Sequence, residues 1–522
     1  MSSISLDLKS VQNVDVAVIG GGFGGLGSAL SLAERGLKVH LFESLKYLGG
    51  CAGTFNRKKR NYEAGATLSS GLGHGQLFES WIRKYSLPIQ VHLLDPVIHF
   101  STPSFQLDIP TDRDHFIEMI CALPNAPKKR IKLFFNHQKQ VADCLWDLFD
   151  HPELLPPFSL HSLFTHLTRL PSYFPFIRDI NCTLLDILKR YQLDQYQPLI
   201  TYLNALCQIT VQCSIDQVEA PFALSTMDYY FRGTAHIEGG LGQLATGLGD
   251  ALIQEGGSVS LADRVKSLLP HNQGGWIIQS RQKTIHARYV IANLLPSALQ
   301  NLLGKEHAMP KRIQKIQSDV EQGWGAVMLY GVIPPNTQYS YSHHRQMVAD
   351  EKCAFQEGNH VFCSIKKHSE EYSTLTLSTH VPMKTLLSLA KEDQGHYIQG
   401  IQDQMKTTLN QFYPDLVHSI SEWMPGSPRT FERFTGRPKG FVGGAPKTKG
   451  YRHYLALKPY EYASNLYLVG DSVFPGQSTL ATATGGVRLA EWITRIDQQN
   501  RFPLLLGSSP SNGTPSSSIS IS

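Results

Sequence analysis

Residues 14–50 read VDVAVIGGGFGGLGSALSLAERGLKVHLFESLKYLGG. Val14 to Ile19 is a nearly unbroken apolar run, as expected of a parallel strand buried on both faces. Gly20, Gly22 and Gly25 then make a G-x-G-x-x-G turn. The first glycine takes the tight bend, the second lets the backbone approach a pyrophosphate, and the third lets helix and strand pack closely. The spacing of Leu26, Leu30 and Ala33 predicts a helix over 26–35 that stops at Gly36. A second strand, 38–42, ends in Glu43, an acceptor placed for a ribose hydroxyl pair. Glycine turns are common. The strand before this one, the helix after it and the acid at the next strand's tip make it a dinucleotide site rather than a structural bend.

The whole chain of 522 residues is long for one core and predicts two or three lobes. Its formal charge of +5 is too mild to argue for nucleic acid. The eight cysteines are scattered and make no C-x-x-C, so no metal site is expected and free thiols in a reducing cytoplasm are the default. There is no cationic-then-apolar leader, and no run reaches the roughly 18 apolar residues of a spanning helix. A cytoplasmic protein, soluble or peripheral to a membrane, is expected.

Onward from Gly50, CAGTFNRKKRNYEAGATLSSG (51–71) reads as two short strands around a basic turn. That turn reads first as a solvated hairpin tip and second as a contact for anionic headgroups. Gly65, Ala66 and Thr67 return toward the cofactor, where small residues let the backbone lie near a flat ring. Residues 76–225 lose the nucleotide pattern. A helix is expected over 138–149. LLPPFSLHSLFTHLTRLPSYFPFI (154–177) carries one formal charge, Arg169, and prolines that divide it into short amphipathic pieces. It reads either as core helices or as a surface dipping into a bilayer. His161 and His166 are misplaced for a helical metal pair.

Residues 237–293 regain nucleotide character. Gly240, Gly242 and Ala245 match G-x-G-x-x-A, but no convincing strand precedes them, so a second dinucleotide domain is not expected. Three strands over 276–293 complete the first domain instead, with Val265 beside an adenine. In the next excursion, strands are expected over 327–332 and 374–379, helices over 383–391 and 401–412, and a loop over 434–448. Leu466 to Val469 is another buried strand ending in Gly470-Asp471. A helix from about 484 is expected to open at Gly485 and Gly486. Its positive end would face the electron-rich part of a bound cofactor, and Asp471 would accept one of that cofactor's sugar hydroxyls.

The glycine turn, Glu43, the pair Gly49-Gly50, the Gly239-Gly240 helix with Val265, and Leu468 to Asp471 with Pro475-Gly476 occur in this order. Together they resemble the phytoene desaturase and carotenoid isomerase family within the amine-oxidase-like flavoproteins. The resemblance spans about 14–496. It implies an α/β fold: an FAD-binding Rossmann-type domain assembled from segments 14–75, 236–295 and 461–497. A mixed α+β substrate domain is implied over 76–235 and 296–460, with a disordered tail at 507–522. FAD would be held by Gly20, Gly22, Gly25, Glu43, Gly49, Gly50, Gly65, Ala66, Val265, Gly470, Asp471, Gly485 and Gly486. The partners implied are a polyene or isoprenoid substrate and a membrane surface met peripherally.

A desaturase would remove a hydride and a proton from such a chain. A cis–trans isomerase or saturase would use the same scaffold, and a non-enzymatic prenyl-binding escort would be colourless. An amine oxidase is a weaker fourth reading. No proton acceptor stands out; Glu63 and Asp228 are conceivable and read first as structural.

Overall fold

The computed structural model describes residues 12–501, apart from 152–153, 156–157, 159, 305–306, 336–342, 368–371 and 455–458. The expected tail at 507–522 lies outside the described residues. The glycine turn sits at the centre of an eight-stranded sheet. Strand Gln12–Ile19 runs parallel to Val39–Phe42 on one side and to Thr284–Ala292 on the other, with Ser258–Ser260 beyond Val39–Phe42. Val16 and Val18 pack into one core, Ala17 and Ile19 into another. Burial on both faces explains the absence of polar alternation in this strand.

The first face is covered by helices Phe23–Ala33, Leu241–Gln254 and Thr479–Arg501. A meander, Val265–Pro270 and Trp276–Ser280 followed by the strand Thr284–Ala292, extends the sheet antiparallel. Leu466–Leu468 returns from far along the chain to lie parallel to the last part of Thr284–Ala292. The match at Gly240 to Ala245 opens a helix, but the strand before it, His236–Ile237, pairs with Val91–His92 outside the nucleotide sheet.

A second, seven-stranded sheet runs in the order Glu422–Gly426, Trp324–Ile333, Ser373–Pro382, His360–Lys367, His344–Val348, Ile98–Ser101, Gln106–Ile109. Helices between Arg113 and Thr226 pack around a third core containing Phe116, Phe134 and Tyr202. The basic hairpin is Thr54–Arg57 against Arg60–Glu63, turning through Lys58 and Lys59 at positive φ, and Glu422 accepts from Lys58 and Arg60.

Several helices differ in extent from their sequence patterns: the expected 401–412 is the end of Lys391–Phe412, the expected 383–391 stops at Ser388, and two more are longer in the helical lobe. The expected 138–149 is part of Lys128–Asp150, so the basic run 128–132 is that helix's first turn. The pieces expected within 154–177 are largely one helix, Leu160–Asp179, with Pro171 and Pro175 inside it. Tertiary contacts outweigh the lost N–H groups: Arg169 pairs with Asp147 on the preceding helix, and Phe176 packs edge-on against Tyr454. Among the described residues no helix is long and apolar enough to cross a membrane.

Candidate cofactor and substrate cavity

The nucleotide turn opens into a cavity of about 680 Å³ that continues without a wall between the two sheets and the helical lobe. Gly20 bends at φ +100°, and helix Phe23–Ala33 begins with Gly22 as its cap and no side chain bonded to its first N–H groups. Gly22, Phe23 and Gly24 line the cavity. Uncapped amides at a positive helix end suit a pyrophosphate. Gly25 lies behind, where a Cβ would collide with the Gly20 carbonyl, so it serves packing rather than lining.

Glu43 lines the cavity and is 6 % exposed. It accepts from the amides of Gly21 (2.8 Å) and Leu45 (2.7 Å), and burial holds its carboxyl above the usual carboxylate range. It also accepts from Ser44 Oγ at 3.1 Å, so of the about four acceptor sites of a carboxylate one stays open for a ribose hydroxyl. Gly49, Gly50, Gly65 and Ala66 line the same space. Cys51, beside them, is a neutral thiol whose pKa burial raises.

Asp471 also lines the cavity, with Gly470 behind it. Its carboxylate takes both N–H donations from Arg437 Nη2, at 2.8 and 3.1 Å. Arg437 lies within the stretch expected to be a loop, and no spacing marked it. The final helix begins at Thr479, not near 484. Its N-terminal end is capped by Ser478, whose Oγ accepts from the Ala481 amide at 3.0 Å, and is presented by Thr479, Leu480, Ala481 and Thr482, which line the cavity. Gly485 and Gly486 do not. Gly486 instead lets this helix cross Phe23–Ala33, since a Cβ there would lie 2.5 Å from both the Gly24 carbonyl and the Ser28 amide.

Val265 is buried in the meander and is not among the lining residues; nearby, the Asp263 amide bonds the Glu43 carbonyl. The middle segment reaches the cavity through Asn293, Leu294 and Leu295, at the end of Thr284–Ala292. Asn293 bonds back to the Gly20 carbonyl at 3.3 Å and wedges between the glycines of both loops. Only its place after an apolar run, YVIAN, pointed to it.

Much of the remaining wall is aromatic or apolar, including Trp146, Phe149, Phe176, Tyr230, Met328 and Phe362, with Lys447, His453, Gln212 and Gln477 as polar members. Among the lining residues the only carboxylates, Glu43 and Asp471, are at the nucleotide end. Burial lowers the pKa of His380, in the wall, to about 4, so its ring is neutral. Glu63 and Asp228 lie outside the lining. Glu63 bonds Lys366 at 2.8 Å and the N-terminal amide of Leu241; Asp228 is paired with Arg113 and Gln138. Among the described residues no metal-binding group of three His, Cys, Asp or Glu occurs. His166 is held by Tyr173 and the Leu154 carbonyl.

Residues 18–84 match the NAD(P)-binding Rossmann-like domain. The chain is 25 % identical to the chloroplastic prolycopene isomerase of Arabidopsis thaliana, over 91 % of this chain and 82 % of that one. It is 21 % identical to the 4,4'-diaponeurosporene oxygenase of Staphylococcus haemolyticus, over 92 % and 97 %. Cyclohexylamine oxidase from Brevibacterium oxydans superposes with a TM-score of 0.61 at 14 % identity, over 94 % and 99 %. An oxidoreductase from Methanosarcina mazei does so with a TM-score of 0.61 at 16 %, over 91 % and 100 %.

Proposed function

The chain belongs to the amine-oxidase-like flavoprotein family of carotenoid desaturases and isomerases, and on that premise we propose an FAD-dependent oxidoreductase of the desaturase type acting on a long polyene. The observation that carries the reading is the single cavity, with uncapped amides and a buried acid at the nucleotide end and aromatic side chains in much of the remaining wall. Gly22 to Gly24 would hold the pyrophosphate and Glu43 the ribose, while Gly65, Ala66 and the start of Thr479–Arg501 would line the seat of the ring. When bound, oxidised flavin supplies a hydride acceptor. The chain's own residues orient the polyene and exclude water.

Isomerisation on the same scaffold is the second reading, favoured by the similarity to prolycopene isomerases over most of the chain. We propose that substrate enters from a membrane. Helix Leu160–Asp179 turns Phe176 into the cavity, while Leu160, Phe164, Leu167 and Phe174 form an exposed apolar stripe along its outer side.

The test is expression beside polyene-producing pathways, followed by chromatography of the pigments and an absorbance spectrum of the purified protein. A yellow protein that adds double bonds supports the first reading; changed geometry alone supports the second. A colourless protein that leaves every polyene unchanged defeats both and leaves the escort reading.

A further inference from the structure

A line of hydrogen-bonding side chains leads away from the cavity wall at Thr67, and the only carboxylates among the lining residues are Glu43 and Asp471. Thr67, two residues beyond Gly65, lines the cavity. Its Oγ1 accepts from Ser364 Oγ at 2.6 Å, and Ser364 Oγ lies 2.7 Å from Nδ1 of His344. Ser364 and His344 are buried, and the cavity residue Phe362 packs beside the His344 ring. A hydroxyl has one proton. Ser364 gives its own to Thr67, so it accepts from His344, which assigns the neutral ring as the Nδ1–H tautomer. Beyond His344 lies the half-buried ring of His236, at 5.5 Å between centroids. His343, exposed at the surface, stacks on His236 at 5.0 Å.

We propose that Thr67, Ser364 and His344 form a proton relay between the cavity and the surface histidines, carrying the proton that a polyene carbon loses or regains. The proposal rests on the polyene reading above. In a desaturation one hydrogen leaves carbon with both electrons, the oxidation that a bound flavin supplies. The cationic chain left behind makes the neighbouring C–H bond strongly acidic, so a weak base suffices to take its proton. That bond breaks, and its electron pair becomes the new π bond. The proton passes to Thr67 Oγ1 as Thr67 gives its own to Ser364 and Ser364 gives its own to His344. Both hydroxyls finish with one proton each, and His344 holds the extra one beside the rings of His236 and His343, which it meets by ring contact.

This direction has both hydroxyls turned around and His344 in the Nε2–H form; delivery to the cavity uses the arrangement in the structure. An isomerisation uses both directions in turn. Protonation converts one π pair into a C–H bond, the cation rotates about what is now a single bond, and return of the proton restores the double bond with no net change.

Burial, then the neighbouring His236, His343 and Arg345, hold the His344 pKa well below the ordinary histidine value. The ring is therefore neutral at rest and a weak base toward an arriving proton. The other charged groups on the surrounding strands are engaged: Arg345 stands over Tyr413, His99 pairs with Asp108, Lys366 with Glu63, and His92 with Glu238.

The test uses the flavin-loaded full chain with prolycopene and with phytoene in phosphatidylcholine vesicles, in H2O and in D2O. Conversion is followed by chromatography and deuterium in the recovered polyene by mass spectrometry. Ser364→Ala and Thr67→Val are expected to lower conversion at least tenfold at unchanged flavin content and to abolish the deuterium uptake that accompanies isomerisation, and Thr67→Ser to restore both. Parental rate and labelling in Ser364→Ala would overturn the relay alone. Loss of flavin in Thr67→Val and Thr67→Ser alike would overturn it by making Thr67 part of the cofactor seat. A flavin-bearing parent that neither converts nor labels either polyene would overturn the relay together with the polyene reading.

Discussion

Arg437 and Asp471, thirty-four positions apart, meet at the wall of the cavity, with one guanidinium nitrogen reaching both carboxylate oxygens at 2.8 and 3.1 Å. Both side chains are less than one-fifth exposed, so the pair is poorly screened by solvent. Replacing Asp471 by Ala would leave a guanidinium facing the cavity with its main counter-charge gone, and breaking such a pair costs about 3 kcal/mol. We expect Asp471→Ala to lower the melting temperature and weaken FAD retention at least tenfold. Flavin absorbance per chain after gel filtration reads this directly. Asp471→Asn keeps the shape and isolates the charge. Full retention in both variants would remove Asp471 from the cofactor site.

Gly486 makes a separate prediction about the scaffold. Its missing Cβ is what allows Thr479–Arg501 to touch Phe23–Ala33, and the atoms in the way, the Gly24 carbonyl and the Ser28 amide, are backbone. Overpacking of this kind costs about 1–3 kcal/mol. Gly486→Ala should lower thermal stability and, by moving the helix that carries Gly24, also loosen the nucleotide. At Gly485 the nearest obstacle is a Pro475 ring carbon at 3.0 Å, so Gly485→Ala should be milder. Equal melting curves for the two variants would contradict this difference.

The same two glycines mark how far the sequence could be read. The first loop was legible because its chemistry is local: strand, turn, helix and acid fall within thirty residues, and each carries its own pattern. The last helix starts about a turn earlier than its glycines suggest: Ser478 caps it, but the opening run, Thr479 to Thr484, is rich in threonine and carries no clear apolar stripe. Asn293 and Arg437 owe their places to pairing between remote segments, Thr284–Ala292 beside Gln12–Ile19 and the loop after Pro428–Thr435 against Asp471. Nothing in their immediate neighbours specifies those contacts. The continuity of the proline-containing helix is illegible for the same reason, since the contacts that support it lie on Asp147 and Tyr454.

Buried neutral histidines predict how stability depends on pH. Burial lowers His40 and His380 to about 4 and His360 to about 3, and pushes His344 down as well. An unfolded chain binds these protons near pH 6.5 and the folded one does not. Stability is therefore fully present above about 6.5 and is lost as pH falls toward 4. Each such histidine contributes a slope of about 1.4 kcal/mol per pH unit in that window. Denaturant midpoints measured from pH 7.5 to 4.5 should fall steeply, and His380→Asn should make the profile shallower. A flat profile for the parent would mean that these rings are protonated in the fold.

The outer side of Leu160–Asp179 is the place to ask whether the protein meets a membrane. Leu160, Phe164, Leu167 and Phe174 are 89, 67, 64 and 71 % exposed, at spacings that align them on one side of the helix. Burying an exposed Phe or Leu is worth about 1.5–3 kcal/mol, so two aromatic side chains supply much of the affinity that a peripheral protein needs. Lys128, Lys129 and Arg130 are exposed at the start of the neighbouring helix and add attraction to anionic lipid. We expect Phe164→Glu with Phe174→Glu to reduce co-sedimentation with phosphatidylglycerol-containing vesicles at least tenfold while flavin content is unchanged, because neither residue lines the cavity. Raising salt should weaken the parent only in part, since the apolar contribution is not screened. Binding that disappears entirely with salt, or that survives both glutamates, would place the contact elsewhere on the surface.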